Sequence, residues 1–74
     1  MTSPTRPIRP GDTVVIRFPN GRLHTFRLER RPTRPAELSV TSPLGAAVLG
    51  RQIGDTARYE SAGGLITVQI AAVR

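Results

Sequence analysis

Leu38 to Asp55 reads LSVTSPLGAAVLGRQIGD, and this stretch decides the fold. Leu38 and Val40 alternate with Ser39 and Thr41, the period-two pattern of a half-buried strand. Ser42 stands where a helix N-cap belongs, and Pro43 takes the first helical position, where a missing N–H has no partner to lose. Leu44, Ala47 and Val48 fall at i, i+3 and i+4 and make one apolar stripe. Gly50 tolerates the left-handed conformation that ends a helix, and Arg51 brings positive charge to the helix's negative end. A helix of about two turns does not hold in water alone, so its stripe must rest on a sheet.

The flanking sequence supplies that sheet. Thr13 to Phe18 reads as a strand with Val14, Ile16 and Phe18 on one face. Pro19-Asn20-Gly21-Arg22 signals a hairpin, because Asn-Gly favours the positive φ of a tight turn. Leu23 to Glu29 returns as a second strand, with Phe26 and Leu28 on one side and Thr25 and Arg27 on the other. Arg30 to Pro35, RRPTRP, breaks the pattern and reads as an exposed, extended connection, since proline cannot donate to a ladder. Thr56 to Glu60 and Leu65 to Val73 give a fourth and fifth strand, joined through Ser61-Ala62-Gly63-Gly64. Strands outnumber helices and the connections are short. The expected class is therefore α+β, a curved, mainly antiparallel sheet of about five strands packed on one short helix. Met1 to Pro10, with three prolines and two arginines, reads as a disordered Pro/Arg-rich arm, which leaves residues 11–74 as the domain.

Seventy-four residues make one small domain, which buries only about 60% of its unfolded surface. There is no cysteine, hence no disulfide and no thiolate chemistry. The N-terminus lacks the apolar stretch of a secretory signal, and no segment is long enough to cross a membrane, so a cytoplasmic location is expected. The net charge is +6, and all eleven basic residues are arginine. That balance favours an acidic partner surface or nucleic acid. Arginine suits bidentate contacts to carboxylate or phosphate, although coding bias in a GC-rich genome is the plainer source of the choice.

Little in the sequence points to catalysis. Asp12, Glu29, Glu37, Asp55 and Glu60 are scattered with no close pair to hold a metal, and no cofactor is implied. His24 is the only histidine and lacks a second ligand or a nucleophile to activate. Gly63-Gly64 has no Walker lysine beside it and reads as a turn. Phe18 and Phe26 lie on the apolar faces of their strands, and Tyr59 takes a sheet position with a wet hydroxyl. A base-stacking sheet would expose several such rings. Arg30, Arg31 and Arg34 form the densest basic cluster, suited to an acidic helix or a phosphate backbone; a solvated loop is the plainer reading.

The ordered set of motifs resembles the C-terminal domain of the bacterial Gre transcript cleavage factors, GreA and GreB. In that family a strand runs into Ser-Pro, a short alanine-rich helix, Leu-Gly, a basic residue and a Gly-Asp turn. Here those elements are Leu38 to Thr41, Ser42-Pro43, Gly45 to Val48, Leu49-Gly50, Arg51 and Gly54-Asp55. Gly11-Asp12-Thr13-Val14 resembles the domain's opening strand and Gly63-Gly64 the turn of its last hairpin, so the resemblance spans residues 11 to 73.

The resemblance implies an FKBP-like fold and a partner. The family's domain docks on RNA polymerase beside the secondary channel, on the rim helices of the largest subunit, and its Ser-Pro loop belongs to the contact. The residues carried over are Thr41, Ser42, Pro43 and Leu44, with Thr41 standing where many relatives have an acidic or amide residue. Ser42 and Pro43 are also explained as a cap and a helix start alone, and a cap and a contact coexist readily on an exposed loop. The family's N-terminal coiled coil, whose acidic tip helps bind magnesium, has no counterpart here, since heptads are absent. The expected protein is thus a non-catalytic, monomeric RNA polymerase-binding protein that modulates elongation or initiation and competes with Gre factors. The alternative is a small basic β-domain that binds nucleic acid weakly and without sequence preference. A prolyl isomerase, suggested by the fold, is poorly served by so few aromatics.

Overall fold

The computed structural model describes residues 6–74. Its elements follow in the order β1 (Thr13–Arg17), β2 (Leu23–Glu29), β3 (Glu37–Ser39), α1 (Pro43–Val48), β4 (Thr56–Ser61) and β5 (Gly64–Val73). They build one five-stranded sheet ordered β3-β2-β1-β5-β4, curled into a half-barrel. Every neighbouring pair is antiparallel except β2 with β3. The expected α+β class holds.

Alternation builds the core. Val14, Ile16, Leu28, Val68 and Ile70 turn to the concave face and are fully buried. Across them α1 lays Leu44 and Val48, packing chiefly on β4 and also on β3. Phe18 and Phe26 are half-buried at the margin of this core, and the exposed His24 ring sits between them, edge-on to Phe18 at 5.0 Å.

The first hairpin differs from expectation in its backbone. The Gly21 N–H donates to the Phe18 carbonyl at 2.9 Å and the Phe18 N–H to the Arg22 carbonyl at 2.9 Å. Only Gly21 takes a positive φ, at 83°, while Asn20 does not. This is a three-residue loop with glycine in the left-handed position, not a turn with positive φ at both Asn and Gly.

The third strand is shorter than expected and runs parallel to β2. The connection from Arg30 to Ala36 loops back beside its own origin, where the Arg27 N–H donates to the Ala36 carbonyl at 3.1 Å. Glu37 fixes that return: its Oε1 accepts from the Thr33 N–H at 2.8 Å and its own N–H donates to the Arg34 carbonyl at 3.0 Å. The Thr33 N–H, with Arg34 nearby, holds the Glu37 carboxyl below its ordinary range.

The N-terminal segment requires a larger correction. Met1 to Thr5 lie outside the described residues. Arg6 to Pro10 are not a free arm, for Ile8 is 1% exposed and belongs to the core. Its N–H donates to the Arg51 carbonyl at 2.8 Å, and its carbonyl accepts from the Gly50 N–H at 2.9 Å. Arg6 grips Asp12 with two guanidinium bonds of 2.5 and 2.9 Å, and the Arg9 N–H adds a third at 2.9 Å. The Arg6 contact holds the buried Asp12 carboxyl below its ordinary range, against the opposing effect of burial. A single isoleucine among prolines is too little to pack by itself, but here it fills a gap made by the helix exit. The folded unit therefore begins ahead of Gly11.

Candidate functional site

The loop between β3 and α1 turns on one carbonyl. The Ser39 C=O accepts from the Ser42 N–H at 3.1 Å and from the Ser42 hydroxyl at 2.6 Å. The same hydroxyl accepts from the Gly45 N–H at 3.1 Å, so Ser42 is the N-cap that the sequence indicated. Ser39 Oγ lies 2.8 Å from Thr41 Oγ1 and accepts from the Thr41 N–H at 3.2 Å. Every polar side chain of the turn is thus engaged within it.

Gly45 is what allows α1 to sit so low. A Cβ on this residue would stand 1.9 Å from the Ser39 carbonyl oxygen and 2.9 Å from Ser42 Oγ. Its φ is not in the left-handed region, so the requirement is space alone. The sequence offered only a glycine inside an alanine-rich helix, which costs helix propensity; that cost was the available hint of a close approach.

The four residues carried over from the family motif therefore divide. Thr41 and Pro43 are exposed, Ser42 is half-buried, and Leu44 is 8% exposed within the core. Leu44 is corrected as a contact residue: its side chain belongs to the apolar stripe that α1 buries, and an arginine there would breach the core. The surface that remains is the Thr41–Pro43 rim at the start of the helix.

The arginine loop joins β2 to β3: Arg30 and Arg31 leave β2 at the Ser39–Val40 end, where the Glu29 carbonyl accepts from the Val40 N–H at 3.0 Å, and Arg34 precedes the start of β3. Arg30, Arg31 and Arg34 are all exposed, and among the described residues the ion pairs are Arg6–Asp12 and Arg27–Glu29, so these three are unpaired. Arg30 and Arg31 line an open depression of about 590 Å³ with Pro10, Gly11 and Glu29. Arg34 and Thr41 lie beyond opposite ends of the three-residue β3. One edge of the half-barrel thus carries a basic loop and the Ser-Pro turn side by side. Among the described residues no group of three or more His, Cys, Asp or Glu side chains is placed to hold a metal, and no helix is long and apolar enough to cross a membrane.

Comparison with known proteins agrees with this architecture. Residues 8–74 match the family model for the C-terminal domain of the transcription elongation factors GreA and GreB. An uncharacterized protein of Mycobacterium tuberculosis strain H37Rv, Rv3788, is 43% identical over 88% of this chain and 45% of its own length. The Mycobacterium bovis uncharacterized protein Mb3817 matches equally. This chain thus spans less than half the length of those curated relatives. Among solved structures, Gfh1 of Thermus aquaticus superimposes with a TM-score of 0.76 at 23% identity, over 92% of this chain and 48% of that one, a likeness of fold. A GreA/GreB elongation factor of Nitrosomonas europaea gives 0.72 at 26% identity, over 97% of this chain and 62% of its own. The match begins at Ile8, the residue that anchors the N-terminal segment in the core, and runs to the last residue. The chain belongs to the GreA/GreB transcription elongation factor family, of which it is a C-terminal domain.

Proposed function

We propose that this domain binds RNA polymerase through the Thr41–Pro43 rim, without catalysis of its own, and so modulates transcription. The docking place is the one the family resemblance implies, the rim helices of the largest subunit beside the secondary channel, where the domain competes with Gre factors. The observation that carries the reading is the rigid, internally satisfied turn that holds Pro43 exposed at a helix start, in a family of transcription factors. A contact surface whose own hydrogen bonds are already made gains little by rearranging, so its ordering cost on binding is small. The unpaired Arg30, Arg31 and Arg34 of the β2–β3 connection suit an acidic partner and would add attraction and on-rate.

The test is competition on core RNA polymerase with a labelled Gre factor. Pro43→Glu is the informative variant, because an acidic residue in the first turn suits the helix dipole and leaves the fold intact. We expect its affinity to fall about tenfold or more, while its melting temperature stays at or above wild type. Unchanged affinity would remove the Ser-Pro turn from the interface. Binding should also weaken as salt rises, which reads the contribution of Arg30, Arg31 and Arg34.

The alternative, nucleic-acid binding, draws support from the same three arginines, since an exposed unpaired cluster suits phosphate equally. A steep salt slope on DNA or RNA, with no preference for polymerase, would select it.

A further inference from the structure

The two edges of this sheet are not alike. On β3 two of the outward groups are already used: the Glu37 N–H goes to Arg34, and the Ser39 carbonyl takes both Ser42 donors. A three-residue strand closed by turns at each end offers little to pair with. The other edge, β4, is twice as long and has no such guard.

The ladder fixes which groups of β4 are free. The Ile70 N–H donates to the Asp55 carbonyl and the Gly54 N–H to the Ile70 carbonyl. Alternation along an antiparallel pair then turns Ala57, Tyr59 and Ser61 toward their partners Val68, Ile66 and Gly64. The N–H and C=O of Arg58 and Glu60 point outward, and among the described residues no hydrogen bond outside the ladder uses them. Their side chains are exposed on the convex face, whereas Tyr59 is half-buried on the concave one. On its concave side this edge is covered by α1, but its support within the ladder is thin. β1 pairs with β5 only from Gln69 onward, so Gly64 to Val68 and their β4 partners project as a two-stranded ribbon. Such a ribbon is marginal on its own.

We propose that β4 pairs antiparallel with β4 of a second copy of this chain, across a two-fold axis at Tyr59. In that register Arg58 of each copy faces Glu60 of the other. Both residues carry outward N–H and C=O groups, so each facing pair exchanges two backbone hydrogen bonds, four in all. The same register sets two opposite-charge cross-strand pairs on the convex face and brings Tyr59 against its mate on the concave face. A slip of the axis to Arg58 would place the two arginines directly opposite, and a slip to Glu60 would oppose the glutamates. Opposite charges two residues apart on an edge thus repel every near register and favour one. The interface is isologous, as two-fold closure requires. The other side of the ribbon offers no such match: it faces a crook of about 300 Å³ walled by Phe18 and Pro19. In the strand order the dimer edge is the opposite one from β3, the strand that leads into the Thr41–Pro43 rim.

The experiment is sedimentation velocity over a concentration series on wild type, Arg58→Glu, Glu60→Arg and the double reversal. Wild type should pass from monomer to dimer mass, contrary to the monomer expected from the sequence. Each single reversal turns both facing pairs into like charges and should weaken association about tenfold. The double reversal should restore it. Both residues are exposed, so the melting temperature of the monomer should not move. Amide exchange at Arg58 and Glu60 should slow on dimerisation. A chain that stays monomeric to millimolar concentration would overturn the proposal, as would a dimer indifferent to the single reversals or a double reversal that fails to recover.

Discussion

Gly45→Ala puts two opposed effects on one atom. Helix propensity alone makes the change stabilising, since alanine is better than glycine in a helix interior by about 1 kcal/mol. Sterics oppose it. The new methyl would lie 1.9 Å from the Ser39 carbonyl oxygen, and ordinary contact begins near 3.4 Å, so α1 must lift by about 1.5 Å. That lift stretches the bonds from the Ser42 N–H and hydroxyl to Ser39 out of range, at about 1 kcal/mol each. It also draws Leu44 and Val48 out of the core, and such a shift costs about 1–3 kcal/mol. The sum, less the propensity gain, is a loss of about 2–4 kcal/mol. A domain of this size has a total stability of roughly 4–11 kcal/mol, and each kcal/mol moves its midpoint by about 4–8 °C. Thermal unfolding followed by far-ultraviolet circular dichroism should therefore show a midpoint lowered by about 8–32 °C. An unchanged or raised midpoint would mean that propensity wins and that the close approach of helix and strand does not constrain the fold.

Two further predictions concern the N-terminal segment. Ile8→Ala should cost about 2–4 kcal/mol in urea unfolding, as for any fully buried isoleucine; a cost below about 0.5 kcal/mol would return residues 6–10 to a free arm. Asp12 has its carboxyl lowered in the folded state, so its contribution is complete above the unfolded value near 3.9 and is lost as pH falls through the lowered folded value. Asp12→Asn should then lower stability at neutral pH and flatten the acid limb of the stability curve as pH falls below the unfolded value. An acid limb parallel to wild type would exclude the Arg6–Asp12 contact as its source.

What the sequence disclosed was local. The Ser42 cap, Pro43 at the helix start, the strand alternation and the glycine turns each depend on neighbours within four residues, and the residue types carry the physics directly. Ile8 was hidden because its partners, Gly50 and Arg51, lie more than forty residues away, and a lone apolar residue among prolines carries no period. Leu44 was legible as part of an apolar stripe and also as a motif residue. The two readings demand opposite environments, and the packed core takes precedence, because an exposed leucine there would leave α1 with little to hold it. The parallel return of β3 was hidden for another reason. Short connections usually make antiparallel neighbours, and here the Glu37 contacts to Thr33 and Arg34 help seven residues double back.

The Ser39 carbonyl couples the fold to the proposed contact. It holds both Ser42 donors and leaves no room for a side chain on Gly45, so one oxygen sets the height of α1 and the direction in which Pro43 points. A variant that lifts the helix must also tilt Pro43, and would weaken binding only through lost stability and lost geometry together. Pro43→Glu changes the exposed atom and leaves that oxygen and its donors alone. Loss of polymerase binding by Gly45→Ala is therefore uninformative about the contact surface, whereas loss by Pro43→Glu at an unchanged midpoint is not. The glycine governs how the turn is held, and the proline what the turn presents; a binding assay paired with a melting curve on each variant separates the two.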